Sequence, residues 1–405
     1  MPSPRNPQAR RLTAWEEAYH YRPPPAGEEG LERSSLTLGI EEEYLIVDRE
    51  TRDLVAEPEA GFLEDCRDAV GDQVTTEFLQ CQVEVGTRPH PGVAEAVGEL
   101  RALRAAVAAA AGEYGYAVIA ASTHPFATWR RQSHTRKERY DGLWNDMGAA
   151  AWRMLICGMH IHAGIEDDDV RIDMMNQVSY FLPHMLALSC SSPYWEGSDT
   201  QLASYRLTVF DALPRTGLPD RLDSFSEFRR LVDHLVTAGC IEDGTKLWWD
   251  VRPSARFPTL EQRVTDVCPR LPDVAALAAL YQSLLAFLHR LRAQNQRWRI
   301  YPATLIRENR WRAQRYGAEG KLIDHGQRKM VPFADLIEEL IEFVAGDAAA
   351  LGCAEELAGL RRILADGTSA HRQRRAYAAA REAGEDDAGA LRHVVDTLIG
   401  EFLAE

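Results

Sequence analysis

Three separated stretches of this chain set acidic, imidazole or guanidinium side chains two residues apart in apolar surroundings: Glu41 and Glu43, His160 and His162, Glu261 and Arg263. A β-strand turns alternate side chains to one face, so each pair, if extended, aims both polar groups at the same surface. Three such strands side by side would gather carboxylates, imidazoles and a guanidinium, which is the ligand chemistry of a metal–nucleotide site. Each pair also has a plainer reading. Three adjacent acids, Glu41, Glu42 and Glu43, are cheap only on a solvated surface or beside a cation, and an exposed acidic turn meets that condition. Glu42 would face away from its two neighbours. His160 and His162 lie in an apolar run over 154–164, where Gly158 lets something approach the backbone closely; hydrogen-bonded core histidines fit there too. Glu261 and Arg263 lie opposite Leu260, Gln262 and Val264, and an ordinary ion pair satisfies that spacing.

The elements that must position these residues follow from the surrounding sequence. Strands are expected from Leu36 to about Val47, over 77–85, over 118–122 and around His160 and Glu261. An alanine- and leucine-rich stretch from about Pro91 to Tyr114 predicts a helix. Further helices are expected over 173–189 and 274–299 and from Phe333 to the C-terminus, with the acidic run at 382–387 as a break. A loop follows at 191–197. The first thirty-five residues, with Pro2, Pro4, Pro7 and Pro23 to Pro25, read as a loose arm; residues 36–405 read as one catalytic domain with a helical C-terminal region.

Several motifs together resemble one family. Gly39-Ile-Glu-Glu-Glu-Tyr44, Gly158-Met-His-Ile-His162, Trp248-Trp-Asp-Val-Arg-Pro253 and Leu260-Glu-Gln-Arg-Val-Thr-Asp266 look like glutamate-cysteine ligase family 2, in its bacterial carboxylate-amine ligase branch, related to glutamine synthetase. The resemblance implies an α+β fold: a curved, mainly antiparallel sheet with helices on its outer face, and ATP and divalent cations on the concave face. It implies an ATP-dependent ligase that forms an amide through an acyl phosphate, most simply γ-glutamylcysteine from glutamate and cysteine. Mg²⁺ or Mn²⁺ would offset the phosphate charge. Carried over by position, Glu43, Glu77 and Glu84 would hold one ion, and Glu41, His160 and Glu261 another. Arg263 would steady the transferring phosphoryl group.

Other roles are implied more loosely. Glu77 and Glu84 are seven residues apart, so they share a face only with a bulge or if Glu77 precedes the strand. His162 is a nucleotide-contact candidate, or a hydrogen-bonded neighbour of His160. Arg206 is the candidate clamp for a substrate carboxylate. Asn309 and Arg312 fall in a family-like run on the substrate side that also reads as a solvated basic helix end. Arg256 could reach phosphate, or sit on the surface. Trp248 and Trp249 read as packing residues.

Composition bounds the alternatives. A net charge of −15 argues against a nucleic-acid partner. Seven cysteines without a C-x-x-C spacing suit reduced thiols in a cytoplasm. No run is expected to reach the length of a membrane span, and the start lacks a secretory signal's apolar core. A homo-oligomer is compatible with all of this. No P-loop or G-x-G-x-x-G occurs. His160 and His162 also permit a zinc hydrolase, although abundant glutamates suit harder ions. The remaining alternatives are a ligase for another amino acid or amine, and a non-catalytic nucleotide-binding relative.

Overall fold

An eleven-residue strand, Leu38–Asp48 (β1), organises the architecture, because its alternation gives it one apolar and one acidic face. The computed structural model describes residues 34–404, so the expected arm lies outside the described residues apart from Ser34 and Ser35. The other main-sheet strands are Val74–Thr76 (β2), Gln82–Gly86 (β3), Tyr116–Ile119 (β4), Met159–Gly164 (β5), Val251–Pro253 (β6) and Thr259–Gln262 (β7). They form an open sheet in the order β6-β7-β5-β1-β3-β2, with β4 paired to the C-terminal part of β1, and every pairing is antiparallel. This is the expected α+β class. A separate hairpin pairs Lys321–Asp324 (β8) with Lys329–Pro332 (β9).

One face of the sheet is covered by helices. Leu38, Ile40 and Tyr44 of β1 point there with Met159 and Ile161 of β5 and Leu260 of β7, and all are buried. The Val93–Glu113 helix turns Val93, Ala96, Val97, Leu100, Leu103, Arg104 and Val107 inward at helical spacing. The Leu271–Ala293 helix is buried on nearly every side, with Tyr281 donating to Leu260 O at 3.2 Å and Gln282 to Leu36 O at 2.8 Å. That helix corrects one expectation, since its length and apolar content do match a membrane span. Its most apolar window is 94% buried within the protein, which marks it as a core helix.

Glu42 also faces the helices, and it corrects the idea that three adjacent acids need water or a metal. Its carboxylate accepts from Arg104 Nε at 2.9 Å and Nη2 at 2.8 Å and from the Tyr44 hydroxyl at 2.5 Å, with both Glu42 and Arg104 fully buried. Arg104 spends its other donors on the carbonyls of Pro269, Cys268 and Phe402. Each buried charge therefore has a partner and satisfied hydrogen bonds.

Other boundaries moved for local reasons. The strand expected over 77–85 begins only at Gln82, leaving Glu77 in the β2–β3 connection. The helical stretch expected over 173–189 is found, as α-helix over Asp168–Val178 and Leu182–Ser189 joined directly by one tighter 3-10 turn, Ser179–Phe181. Pro183 lacks the N–H that would bond to the carbonyl of Ser179, which fits the change of helix type at that point. The Leu271–Ala293 helix stops short of Arg299, and Asn295 adopts a left-handed φ of 57° just beyond it. All seven cysteines are free, and only Cys240 is exposed.

Candidate metal–nucleotide site

The pairing register carries the acidic face. Residues directly opposite in antiparallel strands point the same way, so Glu41 opposite His160, Glu43 opposite Glu84, and Glu261 opposite both His162 and Arg252 all emerge on one surface. Glu77, just beyond β2, joins them because the chain turns there before β3 begins. Two groups result: Glu41, His160 and Glu261, and Glu43, Glu77 and Glu84. Within each group one ligand atom per residue lies within 4.8 Å of the others.

The second group is three carboxylates facing one another. Burial, then repulsion from Glu77, pushes the Glu43 carboxyl up to about 8, even though the Gly158 N–H donates to it at 2.7 Å. Glu84 is raised well above the usual range for the same reasons. Three crowded acids that offer only oxygen could hold a hard cation.

The first group is richer in nitrogen. Glu41 Oε2 lies 3.3 Å from His160 Nδ1, and Oε1 lies 3.4 Å from His162 Nε2. Burial raises the Glu41 carboxyl, but hydrogen bonds and positive charge from the two histidines outweigh it and hold it well below the usual range. Burial, with Arg263 adding to it, pushes His160 down to about 4. For His162 burial acts the same way, yet Glu41 and Glu261 overcome it and raise that imidazole. His162 Nδ1 also lies 3.0 Å from Thr259 Oγ1. His160 Nε2 is buried with no hydrogen-bond partner among the described residues.

Glu261 is gripped from both sides. Arg252 donates Nε to Oε2 at 2.8 Å and Nη2 to Oε1 at 3.1 Å, while Arg263 Nη1 bonds to Oε1. Opposed to burial, the two guanidiniums hold the carboxyl well below its ordinary range. Their roles differ. Arg252 spends both Nη1 hydrogens on the carbonyls of Thr245 and Leu247, at 3.0 and 2.7 Å. Arg263 keeps a buried Nε without a partner among the described residues, and its Nη1 lies 3.5 Å from His160 Nδ1. Arg252 therefore resembles a fixed clamp, whereas Arg263 has donors to spare.

The remaining candidates scatter. Arg206 is buried beside Gly158, with both Nη atoms directed at backbone carbonyls of 263–264. Asn309 uses both ends of its amide on the backbone of Ile323, at 2.9 and 2.7 Å, pinning the Ala303–Tyr316 helix to the β8 strand. Arg312 donates to Lys321 O on the same hairpin at 2.7 Å. Arg256 is exposed in the β6–β7 turn, within electrostatic reach of Asp243. Trp248 and Trp249 are buried. Arg252 had no assigned role in the sequence, although Pro253 and Pro258 flank a short turn whose hairpin register sets Arg252 opposite Glu261.

Comparison with known proteins gives the family and the fold. The family model described as glutamate-cysteine ligase family 2 matches residues 37–397. A Rhodospirillum rubrum protein, provisionally named glutamate–cysteine ligase 2, is 56% identical over 374 residues, covering 91% of this chain and 96% of that one. A Jannaschia protein with the same provisional name is 55% identical over 366 residues, covering 90% and 96%. Among solved structures, a glutamate–cysteine ligase from Francisella tularensis in complex with AMP superposes with a TM-score of 0.63 at 14% identity, over 91% of this chain and 89% of that one. A bifunctional glutathione synthetase from Pasteurella multocida gives 0.66 at 15% identity, over 90% of this chain and 52% of that one. At such identities these two likenesses speak to the fold alone.

Proposed function

Since the chain belongs to glutamate-cysteine ligase family 2, we propose that it is an ATP-dependent carboxylate–amine ligase that forms an amide through an acyl phosphate, with glutamate and cysteine as the first substrate pair. The observation that carries this reading is the convergence of two three-residue ligand groups and a guanidinium with unspent donors on one open sheet face. Joining a carboxylate to an amine in water requires activation. The substrate carboxylate attacks the γ-phosphorus of ATP, ADP leaves, and the amine then displaces phosphate from the acyl phosphate. Both steps concentrate negative charge, and the site's task is to offset it.

The donor set fits hard divalent cations. Glu43, Glu77 and Glu84 offer only oxygen, and His160 has a buried ring nitrogen awaiting a partner. Mg²⁺ or Mn²⁺ would be held by Glu43, Glu77 and Glu84, and a second ion by Glu41, His160 and Glu261. Such ions supply charge neutralisation for the phosphates. The chain's own residues do the rest. Arg252 keeps Glu261 ionised and oriented. Arg263, with donors in reserve, reaches the phosphoryl group whose charge grows in the transition state. His162, braced by Thr259, adds a donor at the same edge.

The deciding experiment incubates the protein with Mg²⁺, ATP and ¹⁸O-carboxylate glutamate against a panel of amino acids and amines. ADP and ¹⁸O-labelled phosphate, formed only when both substrates are present, are the expected products. AMP with pyrophosphate, or no nucleotide turnover with any pair, would reject the reading.

A further inference from the structure

Gly158 is the point at which two parts of the acidic face meet. Its N–H donates to Glu43 Oε2 at 2.7 Å, and its carbonyl accepts from the Glu43 N–H at 3.1 Å. On its other side lies the Arg206 guanidinium, so close that a Cβ at 158 would stand 2.4 Å from Nη2 and 2.9 Å from Cζ. Arg206 is only 3% exposed. Its Nη1 and Nη2 donate to the carbonyl of Arg263 at 3.3 and 3.2 Å, and Nη1 also reaches Val264 O at 3.5 Å. The backbone that carries it is held as tightly. The Arg206 N–H donates to Ser192 Oγ at 3.1 Å, and that hydroxyl donates to Asp266 Oδ2 at 2.8 Å. Asp266 also accepts from the Ser191 N–H at 2.8 Å and from Ser204 Oγ at 2.9 Å.

We propose that Gly158 and Arg206 are positioning residues: the bare α-carbon of Gly158 admits a buried guanidinium that fixes the backbone of Arg263 and sets a positive charge beside Glu43. This rests on the ligase reading of the acidic face, but it departs from the expectation that Arg206 clamps a substrate carboxylate. A guanidinium so buried, with both Nη atoms on backbone carbonyls, has almost no surface to offer a ligand, although its Nε, like that of Arg263, has no partner among the described residues. It does have the geometry to hold Arg263 still while that side chain acts.

Gly158→Ala tests the idea, because the backbone at 158 is not in the left-handed region and the added methyl acts by displacing the guanidinium. Arg206→Met removes the bonds outright and stands in if the alanine variant does not fold. Both are compared with Arg263→Lys and with the Arg206→Met/Arg263→Lys double variant for kcat, for KM of L-glutamate and of ATP, and for melting temperature. Each single variant should lose about tenfold or more in kcat, the range seen when a supporting residue is removed, with the KM for L-glutamate nearly unchanged. The double variant should be little worse than Arg263→Lys alone, because the two act as one unit. A raised L-glutamate KM at retained kcat would overturn the proposal in favour of direct substrate contact. Fully additive losses in the double variant would overturn it too, as would a lowered melting temperature with wild-type turnover per folded molecule. If the wild-type protein forms no ADP with any carboxylate–amine pair, the ligase reading itself falls, and this proposal with it.

Discussion

Glu42→Gln isolates the middle acid of the Glu41–Glu42–Glu43 run, and its effect should fall on stability alone. Three donors converge on the Glu42 carboxylate: Tyr44 Oη and Arg104 Nε at Oε2, and Arg104 Nη2 at Oε1. Glutamine presents one oxygen and one NH₂ group, so at least one donor would face another donor in a site with no water access. Arg104 would keep its three carbonyl partners but lose its only carboxylate. Breaking a fully buried pair from one side costs about 3–5 kcal/mol, because the surviving charge stays desolvated. Equilibrium urea unfolding, followed by tryptophan fluorescence, should register that loss at pH 7. Turnover per folded molecule should stay near wild type, since Glu42 points away from Glu41 and Glu43. Those neighbours should behave in the opposite way: Glu41→Gln and Glu43→Gln should fold and lose turnover by orders of magnitude. A Glu42→Gln variant destabilised by less than about 1 kcal/mol would refute the reasoning, because it would mean that the Arg104 charge is compensated elsewhere.

Arg252→Lys should destabilise the protein by roughly 2–3 kcal/mol and weaken catalysis, since an ammonium cannot reproduce a fork that bonds Glu261 and two carbonyls together; wild-type unfolding and wild-type kcat/KM for ATP would contradict this. Metal-free protein should lose stability as pH rises from 6.5 to 8. Glu43 ionises near 4.5 in the unfolded chain but only at about 8 when folded, so the folded state holds an extra proton across that interval and loses its advantage as the proton leaves. The interval lies above the range in which His124 and His184, buried and pushed down to about 4, act in the opposite sense. Melting curves in EDTA should therefore fall between pH 6.5 and 8, and Mg²⁺ should restore them; flat curves indifferent to Mg²⁺ would count against the carboxylate cradle. Arg263→Lys should depress kcat strongly with a smaller change in ATP affinity, and a loss of melting temperature at unchanged turnover would reassign it as the structural partner of Glu261.

The acidic face was legible because it depends on strand alternation, which is written into local sequence. Glu41, Glu43, His160, His162, Glu261 and Arg263 needed only a period of two and a register to meet. Arg104 was not legible in this way: its carboxylate partner lies 62 positions upstream on another element, and an arginine in an alanine-rich helix looks like any solvated residue. Arg252 needed the β6–β7 hairpin register. Asn309 and Arg312 carried family-like sequence, but their bonds to the β8–β9 hairpin join residues of separate elements and show only in three dimensions. The Leu271–Ala293 helix shows the same limit from the other side, since its apolar run is set by burial among other helices.

The reach of Arg104 to the carbonyl of Phe402, 298 positions away, bears on how the protein is made. Phe402 also sets its ring edge-on to Tyr44, with centroids 4.9 Å apart. During synthesis, β1 and Arg104 leave the ribosome long before Phe402, and until then Arg104 lacks one of its partners and Tyr44 one of its packing faces. Completion of the core beneath the acidic strand thus waits until Phe402 has been made. A chain lacking Phe402 would leave Arg104 without one carbonyl partner and Tyr44 without one packing face, and should be less stable for it.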